Sequence, residues 1–376
     1  MAGIYIHVPF CKTRCIYCDF FTQTDTSLRS EYIKAIAGEI ILRKGYLDSE
    51  IIHTIYFGGG TPSQLSKTDF EYIFDAISNN FCIADDAEIT LEANPDDLDD
   101  NYLAMLQTLP FNRISIGIQS FNDAELKYLK RRHSAQRAKD VVLQAQKLGF
   151  RNISIDLMYG LPNQSMDIWK QNLEKAIQLN VQHISAYHLI YEKDTKLYKL
   201  LQQGKVNVVD EDISVDMFSI MIDKLGDAGF THYEISNFSK DGLYSKHNTS
   251  YWMGQKYLGL GPAAHSFDGK DRALNISSIP QYIKGITNKK PNIEIELLEI
   301  NTQYNDFIIT GMRTMWGIDL KILESRFGKK LLNYCLNNVN PHIDRGNVIR
   351  TENILKLTKQ GIFISDGIMS DLMYID

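Results

Sequence analysis

The chain is poor in cysteine, with five in 376 residues. An odd count this small cannot build a disulfide scaffold, so a reducing, cytoplasmic setting is expected, where clustered thiols bind metal or do chemistry. No apolar run is long enough to cross a bilayer. The opening "MAGIYIHVPF" has no basic stretch followed by a long apolar one, so no secretory leader is read there. Excess positive charge is also lacking: the formal net charge is -6, which disfavours general attraction to nucleic acid or an anionic membrane. No repeat of fixed period and no low-complexity tract is seen. What remains is ordinary globular material, 44% hydrophobic and 23% charged, with length for roughly two or three domains.

Short β-rich runs alternate with amphipathic helical stretches for the first 235 residues. Strands are expected at "GIYIHV" (3–8), "HTIYFG" (53–58), "EITLEA" (88–93), "RISIGI" (113–118), "NISIDLMY" (152–159) and "HISAYHL" (183–189). Helices are expected between them at 27–44, 66–80, 98–109, 134–149 and 165–180, the first capped by Ser27 or Ser30. This succession implies a parallel sheet with right-handed crossovers. Polar residues and glycines gather just after every strand: cysteines after the first, "GGGTP" (58–62) after the second, then "EANP", "IQS", "DLMYGLP" and "YH". In a barrel those ends meet at one mouth, where active sites sit. The fold class expected is therefore α/β, a partial (βα)6 TIM-type barrel over 1–235. A connecting segment at 236–300 has no clear period, and a mainly helical domain at 301–376 completes the chain.

Three of the cysteines stand in "IYIHVPFCKTRCIYCDFF", as Cys11-x3-Cys15-x2-Cys18. Thiols this close suit one metal centre better than core filling. Zinc would want a fourth ligand, for which His7, Asp19, Cys82 and Cys335 are candidates. A four-iron cluster would be held at three irons, leaving one open to a substrate. Spacing alone does not separate the two metals. The glycine-rich "FGGGTPS" (57–63) lets backbone approach a ligand closely, but lacks the Lys-Ser/Thr of a phosphate-binding P-loop.

The cysteine spacing, with Tyr17 before the last thiol, resembles the signature of the radical S-adenosylmethionine (radical SAM) superfamily. The resemblance implies a 4Fe-4S cluster on Cys11, Cys15 and Cys18, with S-adenosylmethionine on the open iron. It implies contacts to that cofactor from Tyr5, Tyr17, Gly59, Gly60, Thr61, Glu92, Gln119, Arg131 and Asp156. The chemistry suits these side chains: an acid accepts hydrogen bonds from ribose hydroxyls and an arginine pairs with a carboxylate. Glu92 and Asp156 are otherwise read as helix caps, and Arg131 as a solvated charge.

"YIHVPFCKTRCIYCDF", "YFGGGTPS", "ISIGIQSF" and "IDLMYGLP" together resemble one subgroup, which unites oxygen-independent coproporphyrinogen III dehydrogenase (HemN) with the HemW heme chaperones. The dehydrogenase has a cysteine two residues after the third ligand, where this chain has Phe20, and an extended segment before the first strand. "HNTSYW" (247–252) instead matches the H-N-x-x-Y-W motif of the HemW type. That resemblance implies heme as cargo on His247, Asn248, Tyr251 and Trp252, since imidazole is a good axial ligand and aromatics cover a macrocycle. The plain alternative is that these residues pack a domain seam. Implied partners are heme, heme-accepting proteins and an electron donor for the cluster, which would pass an electron to the sulfonium in any radical step. Homodimerisation and peripheral membrane contact through a partner stay open. The tail resembles the winged-helix-like end of the family. It carries nine Lys or Arg against eight Asp or Glu over 301–376, hardly a footprint for phosphates, so nucleic acid is not an expected partner.

Overall fold

The computed structural model describes residues 2–375. Six strands lie side by side in chain order and parallel: β1 (Ala2–Val8), β2 (Ile52–Gly59), β3 (Ile83–Ala93), β4 (Arg113–Gln119), β5 (Ile153–Tyr159) and β6 (His183–His188). Period-two alternation sends their two side-chain sets to opposite faces. Ile4, Ile6 and Val8, with Ile55, Phe57, Ile114, Ile116, Ile155 and Leu157, join one large apolar core with the surrounding helices. The other set is polar and bonds across the strands: Tyr56 to Glu92, Ser115 to Asp156 and Ser154 to His183. A partial barrel with a polar interior results, as the strand pattern predicts.

The helices begin where short polar side chains take up their free amides. Ser66 and Asp69 form a reciprocal capping box at Lys67–Ser78. Ser134, Ser165 and Asn122 cap later helices. The first helix differs from expectation. It spans Arg29–Leu42 after Leu28, with no side-chain cap from Ser27 or Ser30. The Ser27 amide is instead engaged by the Asp25 carboxylate, in a turn just before the helix.

Beyond the six strands the sheet continues at both ends to twelve strands. Past β6 lie β7 (Thr231–Glu234) and β8 (Asn237–Ser239), both antiparallel additions. On the other side, β9 (Lys256–Leu260) pairs parallel with β1, bringing Leu258 opposite Ile4. Then follow antiparallel β10 (His265–Phe267), β11 (Arg272–Asn275) and β12 (Ile293–Glu296). Buried Glu39 of the first helix ties this extension down, accepting from Asn275 Nδ2 at 2.8 Å and Tyr282 OH at 2.6 Å.

The C-terminal part is mainly helical and has its own core around Tyr304, Ile308, Leu323 and Leu355. Helix Ile300–Met312 leads to β13 (Ile318–Asp319) and to helix Leu320–Asp344, which kinks at Gly328, where φ is 79°. The hairpin of β14 (Val348–Thr351) and β15 (Ile354–Leu357) closes a three-stranded sheet in the order β13-β15-β14. No helix among the described residues is long and apolar enough to cross a membrane.

Candidate functional site

The C-terminal ends of the barrel strands surround a cavity of about 390 Å³. Cys11, Cys15 and Cys18 line it from the loop after β1. Opposite them is the glycine loop after β2, whose shape forbids side chains. A Cβ on Gly59, where φ is +99°, would lie 2.5 Å from His7 Nδ1, and one on Gly60 would lie 2.7 Å from the Val8 carbonyl. The next residue, Thr61, is buried and donates from its hydroxyl to Cys11 Sγ at 3.2 Å. The loop thus both grips the first thiol and leaves backbone open to the cavity.

Carboxylates and a guanidinium complete the wall. Glu92 ends β3, accepting from Tyr56 OH at 2.6 Å and from the Gly59 amide at 3.2 Å. Burial, with the nearby Asp156 charge adding to it, pushes the Glu92 carboxyl up to about 7, against the pull of the Tyr56 bond. Asp156, midway along β5, is pushed up to about 6, again mainly by burial. Arg131 is not solvated: its Nη1 lies 3.6 Å from Cys15 Sγ, and Nη2 donates to Asn94 Oδ1 and the Gly117 carbonyl. Gln119 ends β4 with φ at 71°, an unusual conformation that aims it at the cavity. Neither carboxylate caps a helix; both face inward.

Of the residues expected at the cofactor, Tyr17, Gly59, Gly60, Thr61, Glu92, Gln119, Arg131 and Asp156 line this one cavity, and Tyr5 does not. Tyr5 sits one layer deeper, opposite Tyr56 in the β1–β2 register and backing Gly58. Asn94 was not singled out by the sequence reading, yet it joins Arg131 to Thr61, donating to Thr61 Oγ1 at 3.3 Å. Among the candidates for a fourth metal ligand, Asp19 alone lines the cavity; both nitrogens of His7 are bonded, to Tyr5 OH and the Phe21 carbonyl.

The family model of the radical SAM superfamily matches residues 5–176, and that of the HemN C-terminal domain matches 298–364. The heme chaperone HemW of Bacillus subtilis (strain 168) is 32% identical over 373 residues, 98% of each chain. The chain belongs to the radical SAM superfamily, in its HemN/HemW subgroup. HemW of Lactococcus lactis subsp. lactis (strain IL1403) is 36% identical over 323 residues, 86% of this chain and 84% of that one. Among solved structures, the radical SAM enzyme coproporphyrinogen III oxidase (HemN) from Escherichia coli superposes with a TM-score of 0.85 at 21% identity. It covers 99% of this chain and 90% of that one, a likeness of fold.

The radical SAM donor set can be tested on this geometry. No three His, Cys, Asp or Glu side chains among the described residues stand close enough to clamp a single ion. Cys11, Cys15 and Cys18 nonetheless line one cavity, and that donor set fits a cluster held by three thiolates. Burial pushes the Cys18 thiol up to about 11, a penalty that bound iron would offset by taking the thiolate.

The H-N-x-x-Y-W motif of this radical SAM chain lies elsewhere. It forms helix Lys246–Trp252, which plugs the barrel at the N-terminal end of the strands. His247 is buried there. Its Nδ1 bonds to Thr54 Oγ1 at 2.8 Å, its Nε2 to Tyr251 OH at 2.7 Å, and its ring stacks on Tyr56 at 5.0 Å. Burial, aided by the Arg113 charge, holds the imidazole down at about 3. In this arrangement neither ring nitrogen is free to meet an iron atom. Asn248 contributes its amide to the Ser245 cap at 3.3 Å. Tyr251 and Trp252 face away from the thiols, into a second cavity.

Proposed function

We propose that the chain holds a 4Fe-4S cluster on Cys11, Cys15 and Cys18 with S-adenosylmethionine beside it, and carries heme to acceptor proteins. The observation that carries the reading is the convergence of three thiols, the glycine loop, Glu92, Asp156, Gln119 and Arg131 on one cavity. Family membership and the HemW relatives support the cargo. When bound, the two groups supply one-electron reducing chemistry, fed by an electron donor.

The chain's own residues have simple tasks in this reading. Thr61 and Arg131 donate to Cys11 and Cys15 Sγ, which favours thiolate over thiol. Glu92 and Asp156 accept hydrogen bonds from ribose hydroxyls, while Gln119 and Arg131 orient a carboxylate. The glycine loop brings backbone polar groups to an ammonium.

The test is anaerobic reconstitution of the full chain followed by iron and sulfide analysis and hemin titration. About four of each element per chain and saturable hemin uptake are expected. Zinc in place of iron, or release of carbon dioxide from coproporphyrinogen under reducing conditions, overturns the reading, the latter in favour of a dehydrogenase.

A further inference from the structure

A second cavity, of about 580 Å³, opens between the sheet extension and the C-terminal part, and the proposed function leaves it unexplained. That size is usual for a ligand site, where volumes run from about 300 to 1,000 Å³. The barrel side contributes Tyr251, Trp252 and Tyr257 to its lining as a first wall, and the C-terminal part contributes Phe307, Trp316 and Ile322. The first wall is stiff. Tyr251 and Tyr257 meet edge to face at 4.5 Å, Tyr251 OH is tied to His247 at 2.7 Å, and the Arg313 guanidinium covers the Trp252 ring at 4.0 Å. A rigid aromatic slot of this kind fits a flat apolar ring system.

Charge at the rim narrows the ligand further. Arg272 is already paired with Asp306 and Glu296. Arg326 is not: among the described residues its guanidinium has no carboxylate partner and lies over the Phe307 and Phe327 rings at 5.6 and 5.1 Å. An exposed, unpaired arginine beside an aromatic slot is suited to a carboxylate carried on the flat ring. Among the described residues no histidine or cysteine lines the cavity, and the one soft donor is the Met253 thioether.

We propose that heme sits in this seam cavity and not on His247. The macrocycle lies between Tyr251–Trp252 and Phe307–Trp316, with a propionate on Arg326. The inference rests on the carrier reading above and adds where the cargo is seated. It also fits release: stacking and one ion pair give the cargo up more readily than an imidazole–iron bond.

Hemin titration of the full chain tests this, read by the heme absorption band and by tryptophan emission. The chain has three tryptophans. Trp252 and Trp316 line the cavity, while Trp169 is buried in the barrel core, so cargo in the seam quenches two of them strongly. Arg326→Glu is expected to weaken hemin about tenfold or more, the loss of one charge-assisted pair. Thr310→Phe, which fills the slot, should weaken it comparably. His247→Gln, whose side-chain amide still offers the Tyr251 hydroxyl a hydrogen-bond partner and so keeps that wall tied, should keep the stoichiometry and the ferric heme spectrum. Loss of hemin or a changed spectrum in His247→Gln, with wild-type binding in Arg326→Glu and Thr310→Phe, overturns the seat but leaves the carrier reading intact. Absence of saturable hemin binding by the unsubstituted chain overturns both.

Discussion

Gly60 has no room for a methyl group. A Cβ there would lie 2.7 Å from the Val8 carbonyl oxygen and 3.0 Å from that of Phe10, and neither backbone atom can swing aside. Gly60→Ala is therefore expected to cost about 1–3 kcal/mol, as overpacking does, and to lower the iron taken up, because the loop carries Thr61 onto Cys11. Gly45→Ala, with nothing within 4 Å of its Cβ, is the matched control; equal iron content in the two variants would refute the loop's role. Glu92 gives a prediction in pH. Its carboxyl is raised to about 7 from an ordinary value of 4.5. Its contribution to stability is thus fully present below the ordinary value and lost as pH rises through about 7. In the metal-free chain Glu92→Gln should raise the melting temperature at pH 8 and leave it nearly unchanged at pH 4. A gain equal at both values would show that the carboxyl is not strained. Residue identity alone reveals part of this site. Inward positions on β3 run 88, 90, 92, so Asn94 was readable as the next one from the period of two. The depth of Tyr5 was not, because it depends on the register of β1 against β2.

Elements whose own periodicity matches their structure were visible in advance; those that depend on distant partners were not. The six parallel strands are buried on both faces and bounded by turn residues, so each announces itself locally. Strand β9 does not. It has five residues, including Gly259, and finds its place by pairing with β1 some 250 positions away in the chain, as Lys256 opposite Ala2 shows. Helix Lys246–Trp252 is similar, being short and held mainly from outside. Buried Glu88 accepts from the Lys246 and His247 amides, at 3.1 Å each, and sits 4.0 Å from buried Arg113. The lone histidine of a sequence motif says nothing of such surroundings, which is why His247 is plausible as an iron ligand on paper yet plugs the barrel in three dimensions. Glu88→Ala removes the plug's anchor and leaves Arg113 unpaired, so urea unfolding should show a loss of about 3–5 kcal/mol, the range for breaking a buried pair. A loss near that of the half-buried cap change Ser66→Ala, about 1 kcal/mol, would mean the helix holds itself.

At the scale of the whole molecule, the barrel with its sheet extension and the C-terminal part have separate apolar cores. Backbone bonds, ion pairs and ring contacts join them. The Met315 amide donates to the Tyr233 carbonyl at 2.9 Å and the Ile235 amide to the Arg313 carbonyl at 3.2 Å; Arg313 pairs with Glu234 at 3.5 Å and Arg272 with Asp306; Phe363 packs edge-on against Phe218 at 5.4 Å and Trp316 against Tyr244 at 5.5 Å. Two cores that meet through a seam of this mixed kind, and share no apolar cluster, need not melt together. The second cavity lies on that seam and takes its walls from both sides, so a ligand seated there binds only the assembled state. Mass action then adds RT ln(1 + [L]/Kd) to the coupling, about 2.7 kcal/mol at a hundredfold excess over Kd. Calorimetry of the metal-free chain should show a broad or doubled transition that hemin shifts upward and narrows, and Arg326→Glu should blunt the shift. A cargo bound inside the barrel would instead raise the barrel transition alone and leave the C-terminal one where it was.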